Sequence, residues 1–245
     1  MPLTGIYKIA EKTIEIISIH EDVHRLCRDY KDSGVPDFSV KISPDDISWE
    51  RIKSAAEDEK ENIPVRQFGD AYLETLAVYR KIAEQMIEYD TILFHGSVVA
   101  VDGAGYLFTA KSGTGKSTHT RLWRELFGER AVMVNDDKPL LKIAEDGVNV
   151  FGTPWDGKHR LSSNISVPLK AICILERSVE NQIRKIEKKN AFPMLVQQTY
   201  RSQDPMKLIK TMELIDKAAD ICGLYILGCN QDIEAAQVAY DGMKG

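Results

Sequence analysis

At 245 residues, the chain is long enough for one large domain or two small ones and can bury a sizeable core. Its 43% hydrophobic and 28% charged content is that of a globular protein. A net charge of -5 speaks against a general binder of nucleic acid or anionic membrane, so any phosphate chemistry needs locally placed positive charge.

No apolar stretch approaches the length of a membrane span, and no signal-peptide h-region opens the chain, which leads to the expectation of a cytoplasmic protein without membrane contact. Cys27, Cys173, Cys222 and Cys229 show no C-x-x-C spacing. They read as buried free thiols of a reducing compartment.

Taken in chain order, "TIEIISI" (13–19) and "FSVKI" (38–42) are β-branched, alternating segments that predict strands. "DISWERIKSAAEDEKENIP" (46–64) is charged and ends at a proline, a solvated helix or loop. Over 71–89, Leu73, Leu76, Tyr79, Ala83 and Met86 recur at helical spacing, with Asp70 as the N-cap. "TILFHGSVVAV" (91–101) and "GYLFTA" (105–110) are apolar runs joined by the turn Asp102-Gly103-Ala104. A helix over 117–128 stops at Gly128, and "AVMVNDDKPLLKI" (131–143) reads as a buried strand ending in two acids. "VNVFG" (148–152), "LKAICILER" (169–177) and "LYILG" (224–228) add strands, and helices are expected over 189–200, 204–222 and 232–243. The alternation over 91–245 predicts an α/β fold with a mixed sheet, preceded by an α+β region over 1–90.

"TAKSGTGKSTHTRLW" (109–123) is the stretch with the clearest chemistry. A phosphate-binding loop follows G-x-x-x-x-G-K-[ST]. Here Ala110 holds the first glycine slot, while Gly115, Lys116 and Ser117 complete the pattern. A bare G-K-[ST] arises by accident in roughly one such chain in ten. The context is stronger, because an apolar strand feeds "KSGTG" directly and a helix opens at Lys116–Ser117. Gly113 and Gly115 allow successive N–H groups to turn toward one anion, and the helix N-terminus adds partial positive charge. The cradle is Ser112, Gly113, Thr114, Gly115, Lys116, Ser117 and Thr118, with Lys116 for the β/γ-phosphates and Ser117 for Mg²⁺.

"VMVNDD" (132–137) then ends an apolar strand in Asp136-Asp137. One acid at such a place holds the Mg²⁺ that bridges β- and γ-phosphates. Its neighbour is free to accept a proton from an attacking hydroxyl. His95, in "FHGS", taken alone is more often a satisfied core histidine than a catalyst. "FGTPWDGKHRL" (151–161) clusters Lys158, His159 and Arg160 after an aromatic, a loop for a phosphate or carboxylate or else a solvated turn.

His95-Gly96, "KSGTGKST" and "VNDDKP", in this order and spacing, resemble the catalytic domain of HPr kinase/phosphorylase, within the phosphoenolpyruvate-carboxykinase-like phosphotransferases. The resemblance covers roughly 91–245. It implies a P-loop kinase core of that type whose short loop does not need the first glycine. It implies Lys116 on the transferred phosphate, Ser117 and Asp137 on Mg²⁺, Asp136 as base and His95 close by, with the two aspartates able to trade roles. It also implies a homo-oligomer of unset number. "GTPWDGK" resembles a motif of small relatives of this group and falls where longer members place a substrate loop. The family's HPr-binding signature loop and C-terminal recognition helix are not recognisable in the sequence, and the first 90 residues do not resemble the usual N-terminal domain.

The expectation is an ATP- and Mg²⁺-dependent kinase acting on a hydroxyl of a protein, peptide or metabolite. Trp155, Gly157, Lys158, Arg160 and Arg201 are the candidate acceptor contacts. A nucleotide-binding regulator without transfer and a phosphate- or pyrophosphate-linked phosphorylase stand as alternatives.

Overall fold

In the computed structural model, which describes every residue except Met1, Glu61 and Lys158, the chain divides into two units, Met1–Gln85 and Met86–Gly245. The first carries a three-stranded sheet of β1 (Leu3–Ile9), β2 (Lys12–Ser18) and β3 (Phe38–Lys41), with a short helix α1 (Asp22–Leu26) between β2 and β3. β1 and β2 are antiparallel neighbours, and β3 lies parallel to β2. The charged stretch is helix α2 (Pro44–Lys60), and the periodic one is α3 (Asp70–Met86). Glu74 of α3 is fully buried and accepts the amides of Ile19 and His20 at 2.6 and 2.8 Å. Those are the backbone donors left over where β2 ends. Asp70 is the first helical residue rather than the cap, and its carboxylate pairs with Arg51.

In the second unit the strands are β4 (Thr91–Leu93), β5 (Ser97–Val101), β6 (Ala104–Thr109), β7 (Ala131–Asn135), β8 (Leu140–Ile143), β9 (Val148–Phe151), β10 (Ser166–Arg177), β11 (Gln182–Lys185) and β12 (Gly223–Cys229). The helices are α4 (Lys116–Phe127), α5 (Lys188–Gln198), α6 (Pro205–Ile221) and α7 (Glu234–Met243). The strand order is β4-β8-β9-β10-β6-β5-β7, with β12 joined to β10 and β11 to β12. β10 is parallel to β6 and β12, while β5 is antiparallel to both β6 and β7. The sheet is therefore mixed and the fold α/β.

Period-two alternation along the strands sends side chains to both faces, and helices cover each. Val98, Leu107, Val134, Ile172 and Ile174 pack with Leu195 of α5 and Leu214 and Ile215 of α6. Val99, Tyr106, Phe108, Cys173 and Leu175 pack with Trp123 of α4 and Ala235, Ala236 and Ala239 of α7. Trp123 is fully buried, 4.9 Å from the ring of Tyr106 and 5.2 Å from that of Phe108. Burial of such a side chain contributes about 1.5–3 kcal/mol, which seats α4 on the sheet. Asp204 caps α6 by accepting from Met206 and Lys207 amides, and Pro205 occupies the first helical position where a missing N–H costs nothing.

Two predicted strands divide. The run 91–101 breaks at Phe94-His95-Gly96: β4 joins β8, and β5 forms a hairpin with β6. The hairpin turn is Asp102-Gly103, both at positive φ, as a two-residue turn of that hand requires. The run 131–143 splits into β7 and β8, with both acids in the connection. β1 and β11 were not among the predicted elements. All four cysteines are free thiols, three buried and Cys229 half-buried. No helix among the described residues is long and apolar enough to cross a membrane.

Candidate functional site

Because β5 runs against both its neighbours, β6 and β7 finish at the sheet edge where β5 begins. The register sets Ser97 opposite Phe108 and Val98 opposite Asn135. The loop 110–115, the start of β5 and the two acids after β7 are thus brought to one edge by pairing alone.

The loop leaves β6 and enters α4 through Gly115. Gly113 (φ +75°) and Gly115 (φ +122°) both hold backbone conformations that L side chains rarely adopt. The first intrahelical bond runs from His119 N–H to Gly115 O at 2.9 Å. The first amides of α4 have no carbonyl within the helix to donate to. Thr114 folds back on Lys111 O through both its amide and its hydroxyl, and Arg177, at the end of β10, donates to Gly113 O at 2.6 Å. Ser112 and Ser117 are exposed and Thr118 half-buried.

Lys116 curls over the loop, its Nζ donating to Ala110 O at 3.4 Å. Burial pushes its pKa below the ordinary lysine value, opposed only in part by the charges of Asp137 and Asp136. A half-desolvated ammonium of this kind is relieved by an arriving anion.

The two aspartates differ in setting. Asp136 is 4% exposed and accepts from Ser97 Oγ at 2.7 Å. Asp137 is half-buried, 3.4 Å from His95 Nε2 and 3.9 Å from Lys138 Nζ. Burial works to raise the Asp137 pKa, but the His95 hydrogen bond and the nearby charges of Lys138 and Lys116 outweigh it and hold it below the usual carboxylate value. The connection carrying both acids is tied down by Asn135. Its Oδ1 accepts the amides of Asp137 and Lys138, and its Nδ2 donates to Thr153 O and Oγ1.

His95 is placed from both sides: its amide donates to Gln198 O at 2.7 Å, and the Gly96 amide to Asp137 O at 3.0 Å. The same segment pairs Phe94 with Thr199, and Tyr200 N–H donates to Leu93 O. The exposed Arg201 follows directly. Gly157 lies against the Asp136 carboxylate. Trp155 is buried, and its carbonyl lies 3.5 Å from Asn135 Nδ2. Arg160 is exposed at positive φ, and Lys158 lies outside the described residues.

Sequence reasoning passed over Ser97, Thr120, Asn135, Arg177 and Gln198. Asn135 lies inside a quoted motif and Ser97 closes one, but only the register shows what each side chain meets.

A family profile described as "SynChlorMet cassette protein ScmC" matches residues 70–216. The match spans more than half of the chain, and the chain belongs to that family. A search of the curated proteins finds no match. Among solved structures, the chain is similar to one described as the Hpr(Ser) kinase/phosphatase from Coxiella burnetii, at 10% identity and a TM-score of 0.34, covering 62% of this chain and 99% of that one. So loose an overlap carries no argument about chemistry.

Proposed function

We propose that the chain is a nucleotide-dependent phosphotransferase whose second unit is a P-loop kinase core of the phosphoenolpyruvate-carboxykinase-like type. In this reading it moves the γ-phosphoryl group of ATP to a hydroxyl. The observation that carries this is the convergence at one sheet edge of a glycine loop, a half-desolvated Lys116 and two aspartates in unlike environments.

The groups present fit ATP with Mg²⁺. The loop offers the first amides of α4, and Ser117 with Asp137 supplies a small oxygen set. Among the described residues there is no cluster of three or more His, Cys, Asp or Glu side chains able to cage a metal, and Mg²⁺ takes much of its shell from phosphates and water. When bound, Mg²⁺ would neutralise charge building on the transferred group.

The remaining work falls to the chain. Loop amides and Lys116 hold the phosphates and stabilise developing negative charge. Asp136 aligns the acceptor hydroxyl and takes its proton. His95 orients Asp137 through its ring nitrogen. Arg201 and Arg160 are the cations offered to an anionic acceptor, a metabolite or a modified peptide.

The test is transfer from γ-labelled ATP with Mg²⁺ into a size-fractionated lysate, with Lys116→Ala as control. Label in the macromolecular fraction identifies a protein or peptide kinase, and label in the small-molecule fraction a metabolite kinase. Tight ATP binding with no label above the control in either would replace this reading with a nucleotide-binding regulator. Release of label from the product by inorganic phosphate would mark a phosphorylase.

A further inference from the structure

Behind the two aspartates lies a buried chain of hydroxyl groups. Ser97 Oγ donates to Asp136 Oδ1 at 2.7 Å, and Ser97 Oγ and Thr120 Oγ1 are 3.1 Å apart. Thr120 Oγ1 also lies 3.4 Å from Lys116 O and 3.3 Å from Ser117 O. Ser97 is 0%, Thr120 1% and Asp136 4% exposed.

The proton directions follow from the donor inventory. An ionised carboxylate only accepts, and a serine hydroxyl has one proton to give. Ser97 spends that proton on Asp136, so toward Thr120 its oxygen can only accept, and the single Thr120 proton is shared among Ser97 Oγ and the carbonyl oxygens of Ser117 and Lys116. When Thr120 gives its proton to Ser97, the chain runs one way, Thr120 O–H to Ser97 Oγ–H to Asp136 Oδ1, through three buried residues. Bonds in such a series polarise one another and strengthen.

Its start is on α4, one turn past Lys116, and its end is on the residue proposed to take the acceptor's proton. Resting on the kinase reading above, we infer that Ser97 is a positioning residue, and Thr120 its support. Together they fix the Asp136 carboxylate relative to the phosphate loop, so that Oδ1 is occupied and Oδ2 faces the Gly157 side. Neither hydroxyl touches a substrate.

Five variants test this: Ser97→Ala, Ser97→Cys, Thr120→Val, Asp136→Asn and the double Asp136→Asn with Ser97→Ala. Cysteine keeps the shape of serine but is a weak donor, so it separates packing from hydrogen bonding. With γ-labelled ATP, Mg²⁺ and the lysate fraction that takes label from the wild-type chain, Ser97→Ala and Ser97→Cys should both lower kcat by about ten- to a hundredfold, as for a misplaced catalytic group. KM for ATP should stay within twofold. Thr120→Val should show the same split with a smaller loss. In the Asp136→Asn background, Ser97→Ala should cost almost nothing further, because the two act through one carboxylate.

Wild-type kcat in Ser97→Cys, a rise in KM for ATP in place of the kcat loss, or full additivity with Asp136→Asn would each overturn the proposal. A readout without turnover is the ¹³C carboxyl resonance of Asp136, assigned by its loss in Asp136→Asn, which should shift in Ser97→Ala. An unmoved resonance with wild-type transfer intact sinks the relay alone. No transfer by the wild-type chain to any fraction sinks the kinase reading, and the positioning role with it.

Discussion

Gly157 and Asp136 are packed so closely that a Cβ on Gly157 would stand 2.9 Å from Asp136 Oδ2. Real Cβ atoms do not sit so near, so one partner must give way. A free carboxylate would swing aside cheaply, but this one is held at Oδ1 by Ser97. Gly157→Ala should therefore turn or tilt the carboxylate and lower phosphoryl transfer by about tenfold, within the range for a displaced catalytic group. ATP affinity should not change, because the loop proposed to hold the phosphates is untouched. Steady-state kinetics with a parallel ATP titration checks both halves, and weakened ATP binding would contradict the assignment of Gly157 to the acceptor side.

Asn135 should prove a structural hub. Its carbonyl oxygen satisfies the amides of Asp137 and Lys138 at 2.9 and 2.7 Å, and its NH₂ reaches Thr153. Asn135→Ala removes the acceptor of the Asp137 and Lys138 amides and the donor to Thr153 at a fully buried side chain, each lost bond to a buried group costing about 1–3 kcal/mol. Asn135→Asp keeps the acceptor but loses the donor and buries a charge beside Asp136 and Asp137. Both should lower the urea midpoint by at least 1 M, taking a slope of about 1–3 kcal/mol/M, with the aspartate variant no better than alanine. A midpoint within error of wild type would show that the acidic connection is held by other contacts.

What could be read ahead of the structure follows from which interactions are local. The order β6, loop, α4 was legible because a strand, two permissive glycines and a helix start are set by neighbours in sequence. The break at His95 was not, because the residues from Thr91 to Val101 are continuous in apolar character. It comes from the Phe94 amide turning to Pro139 O and the Gly96 amide to Asp137 O, partners more than forty positions away. β11 escaped notice because only Ile183 of its four residues is drawn inward, too little for alternation to register. Ser97 in an apolar strand looked like any small polar residue, and its meaning came with Asp136, thirty-nine positions on. Arg177 met Gly113 across sixty-four.

The two loop glycines should differ in how badly they tolerate alanine. A Cβ would meet nothing within 4 Å at Gly113 and only Thr118 Cβ, at 4.0 Å, at Gly115, so the cost is one of backbone conformation. At φ +75° Gly113 is near the left-handed region that other residues visit at a cost of about 1 kcal/mol, whereas φ +122° at Gly115 lies outside it and costs up to about 3 kcal/mol. Gly115→Ala should therefore lose more thermal stability than Gly113→Ala and, as the residue entering α4, should weaken ATP binding more. Calorimetry of both variants with and without ATP checks the order. A reversal would mean that the loop relaxes around the substitutions.

Stability should fall on the alkaline side, and the sign follows from burial. Desolvation holds the Cys222 thiol at about 12. Burial, with the nearby charges of Tyr240, Asp102 and Tyr225, holds the Tyr106 hydroxyl at about 12 as well. In the unfolded chain these groups ionise near 9 and 10. Between those values and 12 the unfolded state has released protons that the folded state keeps, so unfolding gains with rising pH. Each group removes about 1.4 kcal/mol per pH unit across its window, beginning near pH 9 for Cys222 and near 10 for Tyr106, with no effect from either below pH 8. The same burial should make the native thiols of Cys27, Cys173 and Cys222 inert. At pH 8, alkylation should then reach the half-buried Cys229 first and the other three only in denaturant. A flat urea midpoint from pH 8 to 11, or rapid native labelling of Cys222, would show that the α6–β12 junction opens far more readily than its packing implies.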